Sequence, residues 1–485
     1  MGARVTRPEA ATGGAAVAPL PAGPPPRPKR KPPTRIAKTS PAVTTASWPT
    51  RSARVYIVRI SSHPVEPRPI SPIRHALQGA RARVPASKSL TNRELVLAAL
   101  ADGRSRVEVG PGDPGDDVHA MVDALMALGH DVRWERGRIT VTPRHAPFVS
   151  AAVDAHDSGT VARFVAALAA VSDADVRLDG SARMRGRPMG ALVTALRALG
   201  ATIDSDALPL IVRGPLQGGD VSLPGYESSQ FASALLLVGA TMRDGLRLRI
   251  IGDLVSAPFL DMTIAALEKR EVRVERASAR QFSVAPQEVK ARSLTVPGDV
   301  TAATYPAAAA ALLGGSVTIE NASARHTQGG QGDVRFFDLV EEMGCAVSRG
   351  ASSTTVRRTG ALYGITANVS DCSDTFPTLA VIASQATTPT ELGGLGHTRR
   401  QESDRIAAVA AGITALGGRA QIFGDALRIE PAPLSGGVVD AAGDHRIAMA
   451  FSVLGLLVPG VAIAGAGSVS KTFPDFYQML EDLGR

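Results

Sequence analysis

The chain of 485 residues is long for a single core and points to two domains or more. Its 44% hydrophobic and 20% charged residues compose as a soluble globular protein, and no stretch near 20 residues is apolar without a charge or break, which argues against a membrane-spanning helix. The net charge of +8 suggests a nucleic-acid binder, but residues 1–60 carry eleven Lys or Arg against one acid, Glu9, so the other residues sum to −2 and a general basic surface is excluded.

Residues 1–71 read as a disordered basic tail. The stretch PLPAGPPPRPKRKPPTR has no periodic apolar face and cannot offset its ordering entropy. It lacks the apolar core of a secretory signal. Its poverty in acids resembles an organelle transit peptide, so a plastid is the alternative to the expected cytoplasmic location.

From residue 72 a unit repeats. An amphipathic helix ends in an apolar residue and glycine, then a short Val/Ile strand follows. The ends read DALMALGHDV, TALRALGATI, AALEKREVRV, DLVEEMGCAV, AGITALGGRA and QMLEDLGR. Gly129, Gly200, Gly344, Gly417 and Gly484 mark them, with Glu271 in the third copy, at spacings of 71, 71, 73, 73 and 67. Glycine just past a helix tolerates φ > 0 and caps it. A period near 70 residues means a repeated supersecondary module, and alternating helices and strands give an α/β architecture.

Each unit holds a second helix whose start gathers polar residues: SKSLTNRELVLAAL, DSGTVARFVAALAAV, ESSQFASALLLVGA, GDVTAATYPAAAAALLGG, DCSDTFPTLAVIASQA and DHRIAMAFSVLGLL. The alanine-rich bodies predict buried helices. Helix starts present unpaired N–H groups and partial positive charge, so several facing one cleft would bind anions. Ser, Thr and Asp also serve as ordinary caps. Capping does not explain the added cations Lys88, Arg93, Arg163 and Arg446.

Further charge stands before other helices. RMRGRP supplies Arg183, Arg185 and Arg187; RRQESDR supplies Glu402, Asp404 and Arg405; SKTFPDFY supplies Lys471. Asp374 and Glu402 are the acids best placed for proton transfer. Cys345 and Cys372 have no metal-ligand spacing and read as buried thiols in a reducing compartment. No dinucleotide, phosphate-loop or zinc-protease motif is present.

The stretches SKSLTNR, SGTVAR, ARMRGRP, SSQF, GDLVSAP, GDVTAATY, SDTFPT, ESDRIA, DHRIAMAFS and KTFPDF, in that order across residues 72–485, resemble the 5-enolpyruvylshikimate-3-phosphate synthase family. The resemblance implies two similar domains, each of three βαβαββ units (an inside-out α/β barrel), hinged around a central cleft. It implies a first, discontinuous domain of 72–84 plus 297–485 and a second of 85–296. It implies an enzyme, a transferase of the shikimate pathway leading to chorismate and the aromatic amino acids, which moves the enolpyruvyl group of phosphoenolpyruvate to the 5-hydroxyl of shikimate 3-phosphate and releases phosphate. Those two small molecules are the implied partners, with no metal or organic cofactor, no nucleic acid and no membrane, and a monomer is expected. By motif, Lys88, Gly159, Thr160, Arg183, Arg405, Arg446 and Lys471 would hold phosphoenolpyruvate. Lys88, Ser89, Arg93, Ser228, Ser229, Gln230, Ser256, Asp374 and Gln401 would hold shikimate 3-phosphate. Asp374 would accept the hydroxyl proton and Glu402 would protonate the enol carbon, with Lys88 assisting.

The chain departs from the family at Asp157 for Asn, Gln401 for Lys, Phe259 for Tyr and Ala86 for Gly, changes that bear on affinity and substrate choice. Two other readings use the same motifs: a UDP-N-acetylglucosamine enolpyruvyl transferase, whose usual loop cysteine in the earlier domain has no counterpart here, and a divergent non-catalytic or specialised paralogue.

Overall fold

The chain was analysed as a computed structural model that describes residues 66–485 except Ala146. The described part falls within one unit, Ser52–Arg485. Most of the expected tail, residues 1–65, lies outside the described residues. The expectation that the tail reaches residue 71 is corrected: Arg68–Pro69 pair antiparallel with Ala462–Ile463, and Ile70 is buried.

Two separate hydrophobic cores organise the body. One draws on residues from Ala86 to Val296 and the other on Ile70 to Val84 and Val300 to Leu483. The chain passes between the cores twice, and the passages lie side by side. Ser87 N donates to Pro297 O at 2.9 Å, Asp299 N donates to Pro85 O at 2.8 Å, and Ala86 bridges Gly298.

Each core carries three small sheets; five of the six have four strands, and the one formed by Arg68–Pro69, Val461–Ala464 and Gly437–Asp440 has three. In Gly219–Pro224, Leu246–Ile251, Gln281–Val284 and Glu275–Ser278, read across the sheet, the first pair is parallel and the later pairs antiparallel. The same order recurs in the sheets built on Ala151–Asp154 and on Thr366–Asn368. Distant segments complete the others. Ser293–Thr295 pairs parallel with Ser105–Glu108, and Leu77–Ala82 pairs parallel with Gly315–Ile319. The strands alternate buried and exposed residues, as in Leu246–Ile251, so each sheet turns one face to a core and one outward.

Inside the sheets stand the alanine-rich helices Lys88–Leu100, Gly159–Ala169, Ser229–Gly239, Val300–Leu313, Phe376–Ala383 and His445–Gly455. Gly159–Ala169 and His445–Gly455 are buried throughout. This is the inside-out α/β arrangement, with open sheets: no sheet closes into a barrel among the described residues. The amphipathic helices end as read from the glycines. Gly129, Gly200, Gly344 and Gly417 have φ of 97°, 110°, 103° and 83°, and Glu271 takes the same left-handed turn at 64°. Gly484 differs, at φ −85°, so no left-handed cap forms there. Among the described residues no helix is long and apolar enough to cross a membrane.

Candidate active site

The polar starts of the central helices gather where the two cores face each other. A cleft there is lined from one side by Lys88, Ser89, Arg93, Thr160, Arg163, Arg187, Ser228, Ser229, Gln230, Ser256 and Phe259. From the other side it is lined by Asp374, His397, Arg400, Gln401, Glu402, Arg405, His445 and Arg446. Ser158, Ser228, Asp404 and Asp444 cap their helices through side-chain oxygens, which fixes where the neighbouring cations emerge. The start of Val300–Leu313 does not contribute to this lining.

Of the residues expected in the site, all but Gly159, Arg183 and Lys471 line this cleft. Lys471 adjoins it, with Nζ donating to Glu402 Oε1 at 2.7 Å and to Asp157 O at 3.1 Å. Gly159 lies beneath it: a Cβ there would stand 2.8 Å from Arg163 Nη1 and 2.9 Å from the Arg187 guanidinium. Arg183 stands apart, in an adjoining hollow that shares Arg187, Arg400 and Gln401 with the cleft. Its side chain is exposed and donates to Gly443 O outside the lining, while Arg187 is buried and faces the cleft. Pro188 gives the reason, because the residue before proline is held away from helical backbone. Arg187 thus leaves the short helix Ala182–Arg185 and points elsewhere. Sequence reasoning also passed over His397, whose Nε2 lies 2.8 Å from Ser373 Oγ; Arg400, expected only as a stand-in with Arg399 for the lysine missing at 401, lines the cleft as well.

The cations are knotted to carboxylates. Arg405 donates to Asp374, Glu402 and Asp444, each at 2.8 Å, and to Gln401 Oε1. Arg446 Nη2 donates to Asp374 Oδ2 at 2.7 Å, Arg187 Nη1 to Glu402 Oε1 at 3.3 Å, and Lys88 Nζ to Asp117 at 3.0 Å. Burial pushes the Asp374 carboxyl up, but Arg446 and Arg405 outweigh it and hold it at about 2. Burial likewise opposes ionisation of Glu402, yet Lys471, Arg187 and Arg405 keep it well below the ordinary carboxylate range. Burial pulls Arg93 down to about 9 and, with Arg187 beside it, Arg163 to about 9, so both stay charged at neutral pH.

The departures find local partners. The Asp157 carboxylate accepts from Ser181 Oγ and does not line the cleft. Gln401 is engaged by Arg405, and Arg399 pairs with Asp404 at 2.9 Å. Phe259 turns its ring toward the Arg93 guanidinium at 5.9 Å. Ser256 adopts φ 52°, a strained conformation for a side-chain-bearing residue and one found where geometry is functionally constrained.

The family model described as EPSP synthase (3-phosphoshikimate 1-carboxyvinyltransferase) matches residues 73–480. A protein named 3-phosphoshikimate 1-carboxyvinyltransferase from Methanosphaerula palustris is 40% identical over 405 residues, spanning 82% of this chain and 95% of its own. One of the same name from a Nostoc species is 35% identical over 406 residues, spanning 82% and 95%. Among solved structures, an EPSP synthase from Acinetobacter baumannii superposes with a TM-score of 0.71 at 25% identity, over 86% of this chain and 97% of its own. The enolpyruvyl transferase NikO from Streptomyces tendae gives 0.67 at 20% identity, over 86% and 98%, a likeness of fold alone.

Proposed function

Because the chain belongs to the EPSP synthase family, we infer that its cleft is where the family's transfer reaction takes place and that the side chains named above carry it. The protein is a 3-phosphoshikimate 1-carboxyvinyltransferase, an enzyme of aromatic amino-acid biosynthesis acting on phosphoenolpyruvate and shikimate 3-phosphate. One observation carries the assignment of the site: cations from both sides of the cleft converge on Asp374 and Glu402, while both substrates are small polyanions. Lys88, Thr160, Arg187, Arg405, Arg446 and Lys471 would hold phosphoenolpyruvate. Ser89, Arg93, Ser228, Ser229, Gln230 and Ser256 would hold shikimate 3-phosphate.

In this reading Asp374 takes the proton of the 5-hydroxyl as its oxygen bonds to C2 of phosphoenolpyruvate, and Glu402 gives a proton to C3. The adduct then returns the C3 proton to Glu402 while the C2–O bond to phosphate breaks, and phosphate leaves with the proton held by Asp374. Both acids end as they began. Glu402 gains its proton on binding, since the substrate's own anions compete for Lys471, Arg187 and Arg405 and raise its proton affinity. Preset charges and exclusion of water by closure stabilise the cationic character developing at C2.

We further propose the domain division 72–84 plus 297–485 and 85–296, with the first domain extended back to Arg68, supported by the two separate cores, and a monomer in the cytoplasm. The compartment is favoured by Cys345 and Cys372, both free, with burial raising their thiols. Phosphate release from the purified protein, assayed with shikimate 3-phosphate and with UDP-N-acetylglucosamine in parallel, tests the reading. Release with the first acceptor alone is expected, and release only with the second would overturn it.

A further inference from the structure

The helix Asp116–Ala127 belongs to the domain of 85–296, yet its start also meets the other domain. Gly115, Asp116 and Asp117 do not line the cleft, and each makes a contact of its own. Asp117 is 3% exposed, and its Oδ2 accepts from Lys88 Nζ at 3.0 Å. Its backbone oxygen accepts from Asn92 Nδ2 at 3.3 Å, which ties the Lys88 helix to this one. Asp116 Oδ2 accepts from Ser470 Oγ at 2.6 Å, and Ser470 directly precedes Lys471 in the opposite domain. Gly115 meets the same segment through backbone alone: a Cβ there would stand 2.6 Å from Lys471 O and 2.8 Å from Thr472 Cα.

The loop before this helix is fixed to its own domain. Asp113 Oδ1 accepts from Gly115 N at 2.8 Å and lies 3.0 Å from His119 Nε2, and the His119 ring stacks on Trp134 at 4.5 Å. Acids in a first helical turn are favoured by the partial positive charge there. That preference does not account for a buried ion pair with one particular lysine, nor for a backbone approach with no room for a methyl group.

We propose that Asp116 and Asp117 are positioning residues for the transfer: adjacent on one helix, they hold Lys88 of their own domain and the Ser470–Lys471 step of the other, so that the meeting of the domains seats both lysines together. The proposal rests on the reading of Lys88 and Lys471 as holders of phosphoenolpyruvate. Neither acid touches substrate, and each acts through the lysine it places. Burial opposes ionisation of Asp117, but Lys88 and then Lys471 hold its carboxyl below the ordinary value, so it stays charged at neutral pH. A charged acceptor keeps the long Lys88 side chain in one orientation out of many.

The test measures phosphate release by the full chain, with each substrate varied at a saturating level of the other. Asp117→Asn keeps the shape and removes the charge, and it is expected to raise KM for phosphoenolpyruvate roughly tenfold, the loss of about one charged hydrogen bond. KM for shikimate 3-phosphate should stay within about twofold, although Ser89, Arg93, Ser228, Ser229 and Gln230 share a domain with Asp117. That split separates positioning from a structural role, because a loosened domain would raise both constants together. Equal rises, or no rise, overturn the proposal.

Asp116→Ala and Ser470→Ala test the contact between the domains at residues outside the cleft. Each is expected to raise KM for phosphoenolpyruvate about threefold, and the double variant should show no more than the larger single effect, since both changes remove one hydrogen bond. Effects that multiply would mean two independent lesions and would sink the coupling. Asp116 is exposed and Ser470 half-buried, so this cycle decides the proposal even if Asp117→Asn does not fold. Wild-type protein that releases no phosphate would remove the reading of the cleft and this proposal with it, an outcome distinct from unchanged KM values in the variants.

Discussion

At the scale of single residues, Asp374 and Glu402 differ from ordinary surface acids because buried cations keep them ionised. Asp374→Asn and Glu402→Gln preserve shape and remove charge, and each is expected to lower kcat by about 10²- to 10⁴-fold while far-ultraviolet circular dichroism stays unchanged. The three arginines of RMRGRP separate in the same way. Arg187→Ala should raise KM for phosphoenolpyruvate by roughly tenfold or more, the loss of about one charged hydrogen bond, and Arg183→Ala should change it less than about threefold. Equal effects would contradict the placement of Arg187 at the cleft. Gly159→Ala tests the floor of the site. Its added methyl group meets two guanidinium groups at 2.8–2.9 Å, so KM for phosphoenolpyruvate should rise with little change in stability. Most of these positions were legible in the sequence because polar and cationic residues interrupt otherwise apolar helices. Arg187 was not singled out, because its direction depends on where a short helix stops, and Pro188 was the available signal. His397 precedes a helix in the short turn Gly396–Arg400, whose course the sequence does not determine.

Among the elements, helix ends were the most readable feature, since a left-handed turn leaves glycine as its mark. Glu271 is informative for that reason. It holds φ 64° without being glycine, and its side chain only pairs with Arg292 at the surface. Glu271→Gly should stabilise the protein by about 1 kcal/mol in urea denaturation, because left-handed backbone costs a side-chain-bearing residue about that much and an exposed ion pair returns little. Asp444 works at another helix end. It is fully buried, caps the His445 helix through Arg446 N at 2.9 Å, and holds Arg405 Nε at 2.8 Å. Asp444→Ala leaves a buried guanidinium short of a partner, and a loss of about 3–5 kcal/mol is expected in the same measurement. Sheet assembly was far less legible. Strands of three to six residues, such as Ser293–Thr295 and Leu77–Ala82, join sheets whose other members lie far away in sequence, and short runs carry too few alternating residues to specify a remote partner.

For the whole molecule, the charge partition read from the sequence matters more than the net charge. The cleft belongs to a body that is nearly neutral overall, and every residue placed at it above, from Lys88 to Lys471, lies beyond residue 65. A chain beginning at residue 66 should accordingly keep kcat/KM for both substrates within about twofold, and a larger loss in the phosphate-release assay would tie the leading segment to catalysis. The two-part arrangement followed from the six repeats, whereas the crossing points near 84 and 297 came from the family resemblance alone, because no residue pattern there marks two distant passages as neighbours. The joint at Glu402 carries a mechanical consequence. Lys471 and Arg405 reach it from one side and Arg187 from the other, so this acid bridges the jaws of the molecule at the cleft, beside the contacts of Lys471 with Asp157 O and of Arg183 with Gly443 O. Glu402→Gln should unlatch them, since three like charges would then face one another across the gap. Small-angle scattering is expected to record a larger radius of gyration for that variant, shrinking again when phosphoenolpyruvate and shikimate 3-phosphate supply the missing anions.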